Sequence, residues 1–224
     1  MRDNPDVDTA RPRLTRREAQ ALTRRRLLDA AADVFAELGF RAASLTDVAD
    51  RAGYTIGAVY SNFAGKDELF HALMRERLRF VENAFASALG NPGNDPGGKP
   101  VSTDELIAAE LDQMVSMEDA TPPNWWRLLA EFRSYAAAVP EARAELIAAE
   151  LACRDILACH IERFAQETGL IMSLSATEIA ELSMAVTDGL RAAYAEGRSS
   201  IAAGEGLRLI TEAFIRTSAR TTPA

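Results

Sequence analysis

Between positions 55 and 63, Thr55, Gly57, Ala58, Ser61 and Asn62 fall on one side of a helix. Ile56, Val59, Tyr60 and Phe63 fall on the other, at about 100° of rotation per residue. Hydroxyls, an amide and two nearly bare positions suit a helix that reads base edges in a DNA major groove. Gly57 and Ala58 let the backbone come close, and the Ala58 methyl can touch that of thymine. Other chemistry has less to stand on. The two histidines, His71 and His160, sit in no metal-ligand or catalytic spacing, so no catalytic residue, metal site or cofactor is assigned. Cys153 and Cys159 lie six apart in a helical pattern and point about 120° away from each other, so they cannot bridge within one helix. They read as buried reduced thiols, with a redox role or a metal site shared with His160 as the lesser alternative.

Such a helix needs a frame, and the flanking residues supply one. Ser44 can cap a short helix, with Asp47 completing a capping box and Leu45, Val48, Ala49 and Ala52 at helical spacing. Gly53 breaks that helix and Thr55 caps the next. Two short helices joined at a glycine form a helix-turn-helix, whose second helix lies in the major groove. Upstream, a helix opens at Thr15 with Glu18 in the capping-box position and carries Leu27, Ala31, Val34, Phe35 and Leu38 on one face until Gly39. Arg11, Arg13, Arg16 and Arg17 at its start could reach phosphates or an adjacent minor groove, the plainer alternative being a solvated charged end. Downstream, Lys66 opens a long helix with Leu69, Phe70, Leu73, Leu78, Val81 and Phe85 as its apolar positions. Residues 91–100, NPGNDPGGKP, form a loop.

A net charge of -8 is unsuited to DNA until it is divided along the chain. Residues 11–66 hold ten Lys and Arg against six Asp and Glu, and the acidic excess lies beyond them. Apolar residues make up 48% of the chain, and no alternating run predicts a strand. The expected fold is all-α. No stretch approaches the roughly 18–20 apolar residues of a membrane span, and the polar N-terminus lacks the apolar core of a signal peptide, which predicts a cytoplasmic protein with no membrane partner.

The segment 40–69 resembles the DNA-binding domain of the TetR family of transcriptional regulators. The resemblance is carried by Gly39-Phe40, Thr46-Asp47-Val48-Ala49, Ala52-Gly53, Gly57, Tyr60, Phe63 and Lys66-Asp67-Glu68-Leu69. It is close over the first third of the chain and extends to the rest only in length and helical pattern. It implies phosphate contacts from Tyr60 and Lys66, and from Ser44 and Thr46 through hydroxyl or backbone groups. The full DNA-facing set is Ser44, Thr46, Thr55, Ile56, Gly57, Ala58, Tyr60, Ser61, Asn62 and Lys66. Many relatives carry Ser or Thr where Ala58 stands, so shape readout should carry more of the specificity.

The domain expectation is an arm at 1–14, a helix-turn-helix domain at 15–65 and a helical effector-binding and dimerisation domain at 66–224. Further helices are predicted near 102–117, 125–138, 141–167, 175–196 and 204–217, about nine in all. The resemblance implies a small-molecule pocket, with Met114, Met117, Trp125, Trp126, Leu129 and Phe132 as candidate lining and Arg133 or His160 as polar handles. It also implies a homodimer built on a four-helix bundle, for which Ile161, Phe164, Ile179, Leu182, Val186, Gly189, Leu190 and Ala193 are the candidates. The function expected is a regulator, most simply a repressor, that binds a palindromic operator in double-stranded DNA as a homodimer and is released by an apolar or amphipathic effector of unknown identity. The rival readings are a protein-binding adaptor and a small-molecule carrier.

Overall fold

The computed structural model describes residues 15–88, 102–119, 125–217 and 219–220. Among these, nine helices hold most of the residues. Helix α1 (Arg16–Ala42) opens on Thr15, whose hydroxyl accepts the Glu18 N–H while the Glu18 carboxylate accepts the Thr15 N–H at 2.7 Å. Such a reciprocal cap contributes about 1 kcal/mol. Leu27, Leu28, Ala31, Val34 and Phe35 form its buried stripe. At Gly39 the backbone turns to φ +79°, and the chain continues for three more helical residues that carry Phe40 into the core.

Helix α2 (Leu45–Ala52) has the same kind of cap from Ser44 and Asp47, and Gly53 ends it at φ +70°. Helix α3 (Ile56–Tyr60) is only five residues long and is capped by Thr55. Helix α4 (Lys66–Ala88) follows, then α5 (Thr103–Asp119), α6 (Trp125–Ala136), α7 (Pro140–Thr168), α8 (Ala176–Ala195) and α9 (Ala203–Thr217). Pro140, which lies between the helices predicted at 125–138 and 141–167, opens α7 at its first turn, where a missing N–H costs nothing. Leu170–Ile171 (β1) and Ala219–Arg220 (β2) form a two-residue antiparallel pair that the sequence does not predict, being too short for an alternating pattern. The segments 1–14 and 91–100 lie outside the described residues.

One core runs from the helix-turn-helix through α4 into α6 and the start of α7. Its centre is aromatic: Phe132 of α6 stacks on Phe70 of α4 with ring centres 3.9 Å apart and meets Phe40 edge-on at 4.9 Å. A second cluster joins α7 to α8 through Ala158, Ile161, Ala176, Ile179 and Ala180, with Phe214 of α9 packed against it.

Candidate nucleic-acid interface and effector cavity

Helix α3 is held from beneath and open above. Val59 and Phe63 are buried, whereas Ile56 is 40% exposed and Tyr60 61% exposed. Gly57 is exposed, and a Cβ built there would meet only the Thr55 hydroxyl at 3.8 Å. Thr55 Oγ1 accepts the Ala58 N–H. Ser61 Oγ and Asn62 Nδ2 both donate to the Ala58 carbonyl, at 2.9 and 2.8 Å. The Ser61 hydroxyl proton and the Asn62 amide are thus engaged within the chain, while the Asn62 Oδ1 acceptor is not among these bonds. A helix of five residues leaves terminal carbonyls that need donors, and these side chains supply them. Ser44 is likewise committed to Asp47, holding that carboxyl below its usual range, and Thr46 stands exposed beside it.

Lys66 also departs from expectation. Its ammonium donates to the carbonyls of Phe40, Arg41 and Ala43 at 2.8, 3.2 and 3.0 Å and lies 4.7 Å from the centre of the Phe40 ring. A Lys has three donors, and all three are used inside the chain, so Lys66 fastens the C-terminus of α1 rather than offering a free cation to phosphate. Burial lowers its pKa. Arg24, not singled out from the sequence, bonds the Asn62 carbonyl and packs over the Phe63 ring at 4.1 Å, tying α1 to the end of α3. Arg16 and Arg17 are exposed on the first turn of α1, while Arg11 and Arg13 lie outside the described residues.

A cavity of about 230 Å³ opens among α4 to α9. Trp125, Trp126 and Leu129 of α6, Val81 and Phe85 of α4, Ile161 and Phe164 of α7, Ile179 and Met184 of α8 and Phe214 of α9 give it a largely apolar wall. At one side Arg133 bridges Glu150 and Asp188, each at 2.8 Å, and Arg191 bonds Asp188 at 3.0 Å with its guanidinium carbon 3.3 Å from the centre of a Trp126 ring. Elsewhere His160 Nε2 meets Glu110 at 2.7 Å, both side chains buried, and the imidazole stacks on Phe85. The His160 Nδ1 has no hydrogen-bond partner. Glu110, Asp188 and Arg191 are members of this site that the sequence did not single out, since only their meeting across helices marks them. Cys153 is also in the wall, its thiol pushed up by burial, whereas Cys159 is exposed, contrary to expectation. Among the described residues no group of three or more potential ligands could hold a metal. Phe132 is not part of this wall: it is fully buried against α1 and α4. The side chains of Met114 and Met117 lie outside the described residues.

Helix α6 faces both regions. At about 100° per residue, Trp125, Trp126, Leu129 and Arg133 share one face, which lines the cavity. Arg127, Glu131, Ser134 and Tyr135 share the other. Arg127 donates to the Ala36 carbonyl at 2.6 Å, Glu131 accepts the Phe40 N–H at 2.8 Å, Ser134 meets Arg41 at 3.2 Å, and Tyr135 donates to Asp67 at 2.8 Å. The cavity wall and the joint between α1 and α4 are thus two sides of one helix.

The candidate dimer residues divide. Leu182, Val186 and Gly189 of α8 are exposed, as are Ile147 and Leu151 of α7. Ile161, Phe164 and Ile179 are buried within the chain and line the cavity, which removes them from any surface. The apolar residues of α8 are spread too widely around the helix to form one seam: Ile179 turns inward, while Leu182 and Val186 turn outward. Leu190 and Ala193 are half-buried, and Leu190 packs so closely on Gly206 of α9 that a Cβ there would lie 2.0 Å from it.

Residues 27–73 match the family described as bacterial regulatory proteins, tetR family. Over this segment the chain is similar to the DNA-binding domain of TetR-family regulators. Among curated TetR-family relatives, the HTH-type transcriptional regulator SrpR of Pseudomonas putida is 42% identical over 78 residues, 35% of this chain and 36% of that protein. The HTH-type transcriptional repressor KstR2 of Mycobacterium tuberculosis is 43% identical over 96 residues, 42% of this chain and 48% of that protein. The chain therefore aligns with half or less of the length of these two relatives. The likeness in fold extends further: the transcriptional regulator FadR of Bacillus subtilis, solved in complex with stearoyl-CoA, superposes with a TM-score of 0.64 at 16% identity, over 85% of this chain and 97% of that one.

Proposed function

We propose that this protein is a cytoplasmic transcriptional repressor that binds a palindromic operator in double-stranded DNA as a homodimer and leaves it when a small apolar or amphipathic effector enters the cavity. Residues 15–65 form its DNA-binding part and 66–224 its effector and dimerisation part. Helix α6 carries this reading, because the same helix walls the cavity and clamps the Gly39-Phe40 joint and the start of α4. An effector releases DNA only if it binds better to the arrangement in which the two recognition helices no longer match the half-sites. A tenfold preference shifts operator affinity by about 1.4 kcal/mol. Dimerisation through Ile147, Leu151, Leu182 and Val186 supplies the second half-site reader that specificity requires.

The test is selection from a random or genomic DNA pool by the purified full chain at a stated salt concentration. Binding to the recovered duplex is then followed while apolar and amphipathic small molecules are added. A palindrome whose affinity falls steeply with salt, and whose complex at least one such compound dissociates, is the expected result. Recovery of no preferred sequence would overturn it in favour of a carrier or adaptor.

A further inference from the structure

We infer that Ile56 reads the 5-methyl group of thymine, so that each half-site carries thymine where the start of α3 enters the major groove. This rests on the DNA-binding function proposed above and specifies how its recognition helix discriminates bases. The N-terminal residues of a recognition helix are those that reach base edges, and α3 begins at Ile56. Val59 and Phe63 bury fully beneath this helix, yet the larger branched side chain at its leading end remains 40% exposed. Several of the polar groups beside it are already engaged within the chain. Thr55 caps the helix, and Ser61 and Asn62 bond the Ala58 carbonyl. Bidentate guanine recognition is the work of Arg or Lys, and α3 has neither.

What α3 does present beside Ile56 is the open backbone of Gly57, which permits close approach. In the major groove only thymine offers an apolar group, its 5-methyl, and it is the natural counterpart of an exposed isoleucine. Ala58, the methyl contact suggested by the sequence, is half-buried, whereas Ile56, two residues earlier and on another side of the helix, stands more exposed.

The experiment replaces each thymine of the selected half-site, one at a time, by deoxyuridine, which removes the methyl and leaves every hydrogen-bonding group in place. Affinity is measured for the full-length protein and for Ile56→Ala, with Ile56→Val as a milder variant and circular dichroism to establish that each is folded. At one or two positions the methyl-free duplex should bind the unaltered protein about fourfold more weakly. The same duplex change should make no difference to Ile56→Ala. Indifference of the unaltered protein at every thymine, a half-site without thymine, or an undiminished penalty in Ile56→Ala would each overturn the inference while leaving the regulator intact. A pool that yields no sequence would instead remove the DNA-binding function on which it rests.

Discussion

The backbone N–H of Phe40 donates to Oε2 of Glu131 at 2.8 Å, joining positions 91 residues apart at the one place where α1 turns. Gly39, immediately before it, has φ +79°, and a Cβ there would lie 2.5 Å from the Glu131 carboxylate. The turn brings a buried amide to face α6, and the carboxylate receives it.

Glu131→Ala leaves the Phe40 N–H without an acceptor and should lower stability by about 1–3 kcal/mol, whereas Glu131→Gln keeps an acceptor and should cost less. Urea unfolding of both variants checks this. If α6 couples cavity to DNA, Glu131→Ala should also blunt release of operator by an effector, even at a temperature where it is fully folded. Full release at unchanged effector concentration would remove α6 from the coupling.

Lys66→Met replaces three ammonium–carbonyl bonds with an apolar side chain of similar length. Because those carbonyls close α1, the variant should show a lower urea midpoint, by about 1.5–3 kcal/mol in stability. A lysine that only touched phosphate would leave unfolding unchanged and weaken DNA binding alone. The pair of measurements separates the two roles.

His71 of α4 should make stability fall in mild acid. Its Nδ1 pairs with Glu145 of α7 and its Nε2 is buried without a partner, so the charged ring would carry an unsatisfied N–H. Burial pushes its pKa below the ordinary 6.5, against the opposing pull of Glu145 and Asp67, with Arg75 adding to the depression. The folded state thus binds the proton less readily than the unfolded chain. The contribution is complete above about pH 6.5 and is lost as pH falls through the folded-state pKa. Denaturation midpoints between pH 7.5 and 5 should drop more for the unaltered protein than for His71→Gln.

Leu182→Asp places a charge among the exposed apolar residues of α8. Sedimentation should then report a monomer, with an unchanged helical spectrum and weakened operator binding, because the exposed position makes no core contact that folding requires. A dimer that survived both Leu182→Asp and Leu151→Asp would assign the interface to another surface.

The parts legible in the sequence are those decided by near neighbours. The Ser44–Asp47 and Thr15–Glu18 boxes, the stop at Gly53 and the burial of Val59 and Phe63 each depend on residues within about one helical turn. Lys66 was not legible, because its partners are backbone carbonyls more than twenty positions earlier, which no side-chain pattern announces. The apolar residues of α8 were visible as a stripe. Their division between cavity wall and surface depends on where α7 and α9 pack, so Ile179 and Leu182 look alike until those helices are placed. Phe132 belongs to the α1–α4 core for the same reason: α6 has apolar residues on two sides, and periodicity does not say which neighbour each will meet.

The chain has two tryptophans, and both stand in the cavity wall, with the Arg191 guanidinium against Trp126. All of the protein's indole emission therefore arises beside this cavity and none from α3. A molecule that enters will change the colour or brightness of that emission directly, so occupancy can be followed without a label while the recognition helix stays dark.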